Sequence, residues 1–390
     1  MKALIIGAGI GGMSAAASLK QQGIECDVFE AVKEIKPVGA ALSIWSNGVK
    51  CMNHLGMGHI MDELGGPMHN MAYYDGLNGD VMTQFSLSPL VEAVKERPCP
   101  VSRAGLQSQM IDFWGRDNVQ FGKRIERVEQ TESDVTAYFE DGTSATGDFM
   151  IAADGTHSRV RTHIHGYKIE RRYAGYVNWN GLVDADASMA PINQWSSFVG
   201  EGKRVSIMPI AGNRFYFFFD VPLPKGLEEN RDTLVADLKG YFKGWAPAVQ
   251  QLIDTIDPQT TNRVEIHDIE PFSTLVKGNI ALLGDAAHST TPDIGQGGCS
   301  AMEDSVVLGQ CFAEYGEVKS QTDIEAVLKA YEEKRHVRTK DLVLKARKRC
   351  DVTHGKDMAE TQAWYDELRV EKGDNIIAGL RNTIMGGPLG

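Results

Sequence analysis

Six residues near the start of the chain, Gly7-Ala8-Gly9-Ile10-Gly11-Gly12, constrain the fold more than any others. They contain the spacing G-x-G-x-x-G. Alone the match carries little weight, because 41 glycines in 390 residues supply about 0.4 such matches by chance. Its context is what matters. Residues 2–6 read as a short buried strand, Ile10 to Gln22 as a helix of small residues, and 24–30 as a second strand, so the glycines sit at the first turn of a βαβ unit. Gly7 permits the tight turn, Gly9 lets a pyrophosphate approach the backbone, and Gly12 lets helix and strand pack closely. Such a helix start offers bare N–H groups and a positive dipole to phosphates. Glu30, eighteen residues after Gly12, is placed to accept hydrogen bonds from a ribose hydroxyl. Its charge repels a 2′-phosphate, which leaves FAD or NAD as the ligand and excludes NADP.

Further strands are expected at 119–128, 134–140 and 147–153. From Tyr173 to Asp220 the character changes. Tyr173–Val183, Trp195–Gly200, Arg204–Pro209 and Arg214–Val221 are β-rich runs without room for crossover helices, the mark of an antiparallel sheet. Parallel-type sequence resumes at Asn279–Gly284, and from Asp323 to about residue 381 the pattern is helical. The expected fold class is therefore α/β plus α+β, a Rossmann-like domain interrupted by an antiparallel sheet. The expected divisions are 1–72, 98–172 and 268–322 for the discontinuous dinucleotide domain, 73–97 and 173–267 for the β-rich insert, and 323–390 for a C-terminal helical region.

A second glycine cluster, Gly284-Asp285 with Pro292 to Gly298, echoes the first: Gly11-Gly12-Met13-Ser14-Ala15 and Gly297-Gly298-Cys299-Ser300-Ala301 share Gly-Gly-x-Ser-Ala. Both precede helical sequence. The pair reads as two helix N-termini approached by parts of one long ligand, the second placed to stabilise negative charge on a reduced flavin ring.

The net charge of −12 argues against a nucleic-acid partner. Cys26, Cys51, Cys99, Cys299, Cys311 and Cys350 form no C-x-x-C pair, which disfavours a disulfide reductase and a zinc knuckle and points to free thiols in a reducing cytoplasm. No apolar run approaches the length of a membrane span. A signal peptide is disfavoured by Gly7, Gly9, Gly11 and Gly12 inside the apolar start. No metal-ligand cluster is visible.

The N-terminal glycine motif with Glu30, Ala153-Asp154-Gly155, and Leu283-Gly284-Asp285-Ala286-Ala287-His288 occur in that order. Together they resemble the single-component FAD-dependent aromatic hydroxylases of p-hydroxybenzoate hydroxylase fold. Within that group the chain is most similar to the FAD-dependent urate hydroxylases, most specifically in Glu30–Gly39, Tyr176–Gly181 and Thr290–Gly298. The resemblance implies FAD as cofactor and NADH and O2 as co-substrates. It further implies hydroxylation of urate to 5-hydroxyisourate through a flavin C4a-hydroperoxide. Expected FAD contacts are Gly7, Gly9, Gly11, Gly12, Glu30, Ala31, Ser43, Arg103, Ile125, Asp154, Asp285, Gly295, Gln296, Gly297, Gly298 and Cys299. It assigns productive hydroxylation to Arg204, Tyr216 and Asp293, and a monomer or homodimer fits equally.

Strand alternation puts Tyr176, Asn178 and Asn180 on one face of their strand, Arg204, Ser206 and Met208 on one face of a second, and Tyr216, Phe218 and Asp220 on one face of a third. Alternation does not fix which faces coincide, and Asn178, Arg204 and Tyr216 are the candidates for one shared wall. Urate is a flat anion. An arginine fork at Arg204, amides at Asn178 and Gln296, and N–H groups near Gly297 suit its polar edge. Each assignment has a plainer alternative. Arg204 follows Glu201-Gly202-Lys203 and also reads as a surface charge, Tyr216 as core, and Asp293 as a helix cap or as a base that takes a proton from urate. His288 reads as structural, and the run Lys345, Arg347, Lys348, Arg349 as a solvated helix face. The rival functions are hydroxylation of a phenolic carboxylate and a non-catalytic dinucleotide sensor.

Overall fold

The computed structural model describes residues 1–35 and 41–390. The last part of the Glu30–Gly39 segment lies outside the described residues. Strand Lys2–Ile6 stands inside a six-stranded sheet in the order Val276–Lys277, Ile280–Leu282, Phe149–Ala152, Lys2–Ile6, Glu25–Glu30, Val119–Phe121. All neighbours are parallel except the first pair. A parallel strand is covered on both faces, which is why Lys2–Ile6 is apolar without alternation. Ala3 and Ile5 enter the core beneath helices Ile10–Gln21 and Gly297–Tyr315, while Leu4 and Ile6 enter a second core with Val135, Phe139 and Ile280.

The expected strand at 119–128 is two strands. Val119–Phe121 closes the parallel sheet. Ile125–Gln130 turns away at Gly122 into a separate three-stranded antiparallel sheet with Val135–Phe139 and Ser144–Gly147.

The β-rich insert forms a seven-stranded sheet, ordered Asn262–Ile269, Arg171–Asp184, Arg214–Pro222, Lys203–Ile210, Gln194–Gly200, Asn70–Asp75, Val81–Ser86. It is antiparallel except where Gln194–Gly200 lies parallel to Asn70–Asp75, a strand that arrives from the earlier part of the chain. One face buries Val177, Trp179, Val205, Ile207, Phe215, Phe217 and Phe219 beneath helices Leu234–Tyr241 and Pro247–Thr255. Alternation therefore sends Tyr216, Phe218 and Asp220 of the same aromatic strand to the opposite face. Register aligns Asn178 with Asp220, and Asp220 with Arg204, in one row across three strands.

The 33-residue helix Gln321–Thr353 begins with a capping box of Ser320 and Asp323. It docks through buried charge. Arg335 pairs with Glu303 at 3.1 Å and with Asp304 at 2.6 Å, and both carboxylates are fully buried. The run after it is not wholly solvated: Arg347 pairs with Asp268, and Arg349 lies 4.1 Å from the Trp364 ring centroid. Removing Arg335 leaves buried carboxylates short of a cation, so Arg335→Ala should cost about 3–5 kcal/mol in denaturant unfolding. Substitution of exposed Lys340 by Ala should stay within about 0.5 kcal/mol. A loss below about 1 kcal/mol for Arg335→Ala would show that this cluster does not hold the helix.

Candidate active site

The first strand ends at Gly7, whose φ of +107° suits glycine. A Cβ there would lie 2.4 Å from the Ala153 carbonyl oxygen, and one on Gly12 would lie 1.8 Å from the Gly7 oxygen. Only glycine permits this approach of turn, helix and neighbouring strand. No side chain caps helix Ile10–Gln21 at Gly9, and a Cβ on Gly9 would meet nothing within 4 Å. The helix start is thus a bare cradle for an anion. Glu30 is fixed at the end of its strand: its carboxylate accepts the N–H groups of Ala8 at 2.9 Å and Val32 at 3.0 Å.

Gly7, Gly9 and Glu30 line a cavity of about 1090 Å³ together with Ala31, Arg103, Ile125 and Asp154. Lys123, Arg124 and Arg159 on its wall suit a pyrophosphate. One oxygen of Asp154 accepts from the Arg159 N–H at 2.8 Å, while its other oxygen is buried without a partner among the described residues. Burial pushes this carboxyl up. An orphaned acceptor on the cavity wall, an uncapped helix start and a fixed Glu30 together fit FAD. Of the sixteen cofactor positions expected, Gly7, Gly9, Glu30, Ala31, Arg103, Ile125 and Asp154 line this cavity.

The others lie outside that lining, Gly11 and Gly12 in the first turn of helix Ile10–Gln21. Ser43 meets Gly295, since a Cβ on Gly295 would lie 2.7 Å from the Ser43 hydroxyl. Gly297 and Gly298 open helix Gly297–Tyr315 with no side-chain cap, and exposed Asp285 opens a short turn after Gly284. Cys299 is fully buried with its thiol pushed up to about 12 by burial, so this thiol stays protonated at neutral pH. Gln296 accepts from Asn47 Nδ2 at 2.8 Å, and the same amide donates to Glu303 at 2.7 Å. The Gln296 carbonyl is thereby tied to the buried charge cluster of the long helix. His288 is structural as expected, bound to Asp304 at 2.6 Å.

On the sheet face Asn178 and Arg204 meet around Asp220, while Gln296 and Gly297 lie at the start of helix Gly297–Tyr315. Arg204 is no surface charge. Its side chain is 10% exposed and lies between Asp220 and Asp293, both fully buried. Nε donates to Asp220 at 2.8 Å, and Nη2 reaches Asp220 at 2.7 Å and Asp293 at 3.1 Å. Burial works against the guanidinium charge, but the two carboxylates more than offset it and raise the Arg204 pKa. Nη1 donates to no group among the described residues. Asn178 completes the row, donating to Asp220 at 2.6 Å and accepting from Asn180 at 2.7 Å.

Asp293 is not a helix cap. Burial would raise its carboxyl, yet His354 and then Arg204 hold it well below the usual carboxylate range. Tyr216 is half-buried beside Phe218, with ring centroids 5.6 Å apart, and burial followed by the Asp220 charge pushes its hydroxyl up. Two partners of Asp293 carried no sequence signal as such. Tyr176 donates to it at 3.0 Å and His354 approaches it at 3.2 Å.

Residues 1–346 match the family described as FAD binding domain. Over 390 residues the chain is 66% identical to the FAD-dependent urate hydroxylase of Klebsiella pneumoniae subsp. pneumoniae, with both chains covered in full. The chain belongs to the FAD-dependent urate hydroxylases. A crystal structure of Klebsiella pneumoniae HpxO complexed with FAD and uric acid superposes with a TM-score of 0.97 at 65% identity, covering 100% of this chain and 98% of that one. A salicylate hydroxylase substrate complex, 20% identical, shares the fold with a TM-score of 0.76 over 100% of this chain and 99% of that one. The urate hydroxylase family thus has the p-hydroxybenzoate hydroxylase-like fold expected above.

If Glu30 holds a ribose of FAD, Glu30→Ala should weaken FAD retention about ten- to a hundredfold in a folded protein, and Glu30→Gln, which keeps one acceptor, less so. Unchanged FAD affinity by fluorescence titration of the Ala variant would remove Glu30 from the cofactor site.

Proposed function

We propose that the chain is a flavoprotein monooxygenase that converts urate, O2, NADH and a proton to 5-hydroxyisourate, water and NAD+. The reading also takes the chain divisions stated above as domains, with the seven-stranded sheet carrying the substrate. The observation that carries it is the Arg204 guanidinium, buried between two carboxylates with Nη1 left open. FAD, when bound, takes the hydride and activates oxygen, and the protein supplies position and charge.

Glu30 would hold the ribose of the adenine half, the helix start at Gly7 and Gly9 would take the pyrophosphate, and the N-terminus at Gly297 would serve the ring system. Arg204 Nη1 donates to an oxygen of the urate anion, and Asn178 keeps Asp220 oriented so that the guanidinium plane does not turn. Tyr216, with its proton retained, supplies a neutral O–H and an aromatic flank. Asp293 is read as the anchor of Arg204 and not as the group that takes the urate proton. A carboxylate already accepting from Arg204, Tyr176 and His354 is a weak base. A phenolic carboxylate would also pair with Arg204, and product analysis with both substrate classes decides between them.

Arg204→Gln keeps length and loses the fork and the charge. It should leave NADH oxidation largely intact while hydroxylated product falls about a hundredfold and hydrogen peroxide rises to match, as expected for a reactant misplaced by about 1 Å. Normal coupling of NADH to product in this variant would reject the role given to Arg204.

A further inference from the structure

We infer that His354 is a positioning residue for Arg204, acting through the Asp293 carboxylate; this rests on the urate-hydroxylation reading above. His354 follows the last turn of helix Gln321–Thr353, in the C-terminal helical region. Its side chain is 4% exposed, and Nε2 lies 3.2 Å from Asp293 Oδ1, the oxygen that also receives Arg204 Nη2. An ionised carboxylate only accepts, so Nε2 carries the proton in this contact. Nδ1 is buried without a partner among the described residues, which fits a ring whose proton sits on Nε2.

The ring is held independently of that bond. It stacks on Tyr176 with centroids 3.8 Å apart and planes 23° apart, and the Tyr176 hydroxyl donates to Asp293 Oδ2. Its backbone is pinned by the turn that leads into the Arg204 strand. Gly202 and Gly355 both have positive φ and meet so closely that a Cβ on Gly202 would lie 3.3 Å from Gly355 Cα. The Gly202 N–H donates to the Tyr365 hydroxyl at 3.1 Å.

Asp293 is thus clasped from two sides, by Arg204 from the sheet and by His354 and Tyr176 from the C-terminal side. The direction of the open Arg204 Nη1 depends on both carboxylates staying in place. A supporting contact of this kind sets the precision of the group that touches substrate. The charged and titratable groups around Asp293 are Arg204, with Asp220 beyond it, Tyr176, His354 and the Cys350 thiol.

Two variants separate donation from packing. His354→Gln retains a donor near Nε2 and loses the stack; His354→Phe retains the stack and loses the donor. In FAD-loaded protein, His354→Phe should lower urate affinity about tenfold and divert NADH oxidation to hydrogen peroxide, with His354→Gln within about threefold of the parent. In an Asp293→Asn background, His354→Phe should add no further loss. Any result in which Phe couples as well as Gln, or better, overturns the inference, as does full additivity with Asp293→Asn.

A second arm needs no urate. A carboxyl depressed in the folded state stabilises fully above its ordinary value and loses that contribution as pH falls through the folded value. Stability measured from about pH 5 down to about pH 1 should therefore fall less steeply below about pH 3 in His354→Phe than in the parent or His354→Gln, because the folded carboxyl titrates there. Equal slopes in all three would contradict the Asp293 contact itself. If the parent fails to hydroxylate urate while the slopes differ, the function is wrong and the contact stands.

Discussion

Everything specific about the substrate face depends on one buried cation shared by two buried carboxylates. Arg204 has five N–H donors, and Asp220 and Asp293 engage the Nε and Nη2 side of the fork. Taking three charges out of water is costly, and the arrangement survives only because each is paired and hydrogen-bonded. That requirement explains the local architecture. Asp220 must sit beside Arg204 in register on the next strand, Asn178 must cap Asp220 from the strand beyond, and Asp293 must arrive from the glycine-rich turn of the other sheet. What remains is a guanidinium edge at Nη1 with no partner among the described residues.

The same turn joins the two halves of the molecule. Asp293, Gly295, Gln296 and Gly297 fall within five successive positions, so the anchor of Arg204 and the helix start proposed to serve the flavin are separated by a few residues of backbone. Gln296 extends the link inward through Asn47 to Glu303, and Glu303 is held by Arg335 and Arg338. The long C-terminal helix therefore supports the site twice, at its middle through Arg335 and at its end through His354.

Much of this was legible in the chain. The glycine spacing after an apolar strand demands a close turn, and the geometry at Gly7 and Gly12 shows the demand to be steric. Strand alternation placed Asn178, Arg204, Tyr216 and Asp220 on the correct faces, because a period of two is dictated by the backbone alone. Which faces coincide was not legible, since register comes from pairing between distant segments. Nor did the residues distinguish a surface Arg204 from a buried one. The neighbours Glu201 and Lys203 are exposed-type residues, and the deciding partners lie on other strands and loops. His354 gave no local sign at all, because its role exists only where the helix end meets the hairpin turn at Gly202. The strand expected at 119–128 failed at Gly122, where a positive φ redirects the chain into a different sheet.

The central claim is that substrate is held by the open edge of a guanidinium whose opposite edge is fixed by two carboxylates. Arg204→Lys tests it most directly, since lysine keeps the charge and loses the fork. Urate titrated into the oxidised, FAD-loaded protein and followed by flavin absorbance should bind the Lys variant at least about tenfold more weakly than the parent, because one ammonium cannot serve Asp220, Asp293 and the anion in a plane. FAD content should be unchanged. Urate affinity equal to the parent's in the Lys variant would mean that charge alone suffices, and would contradict the account.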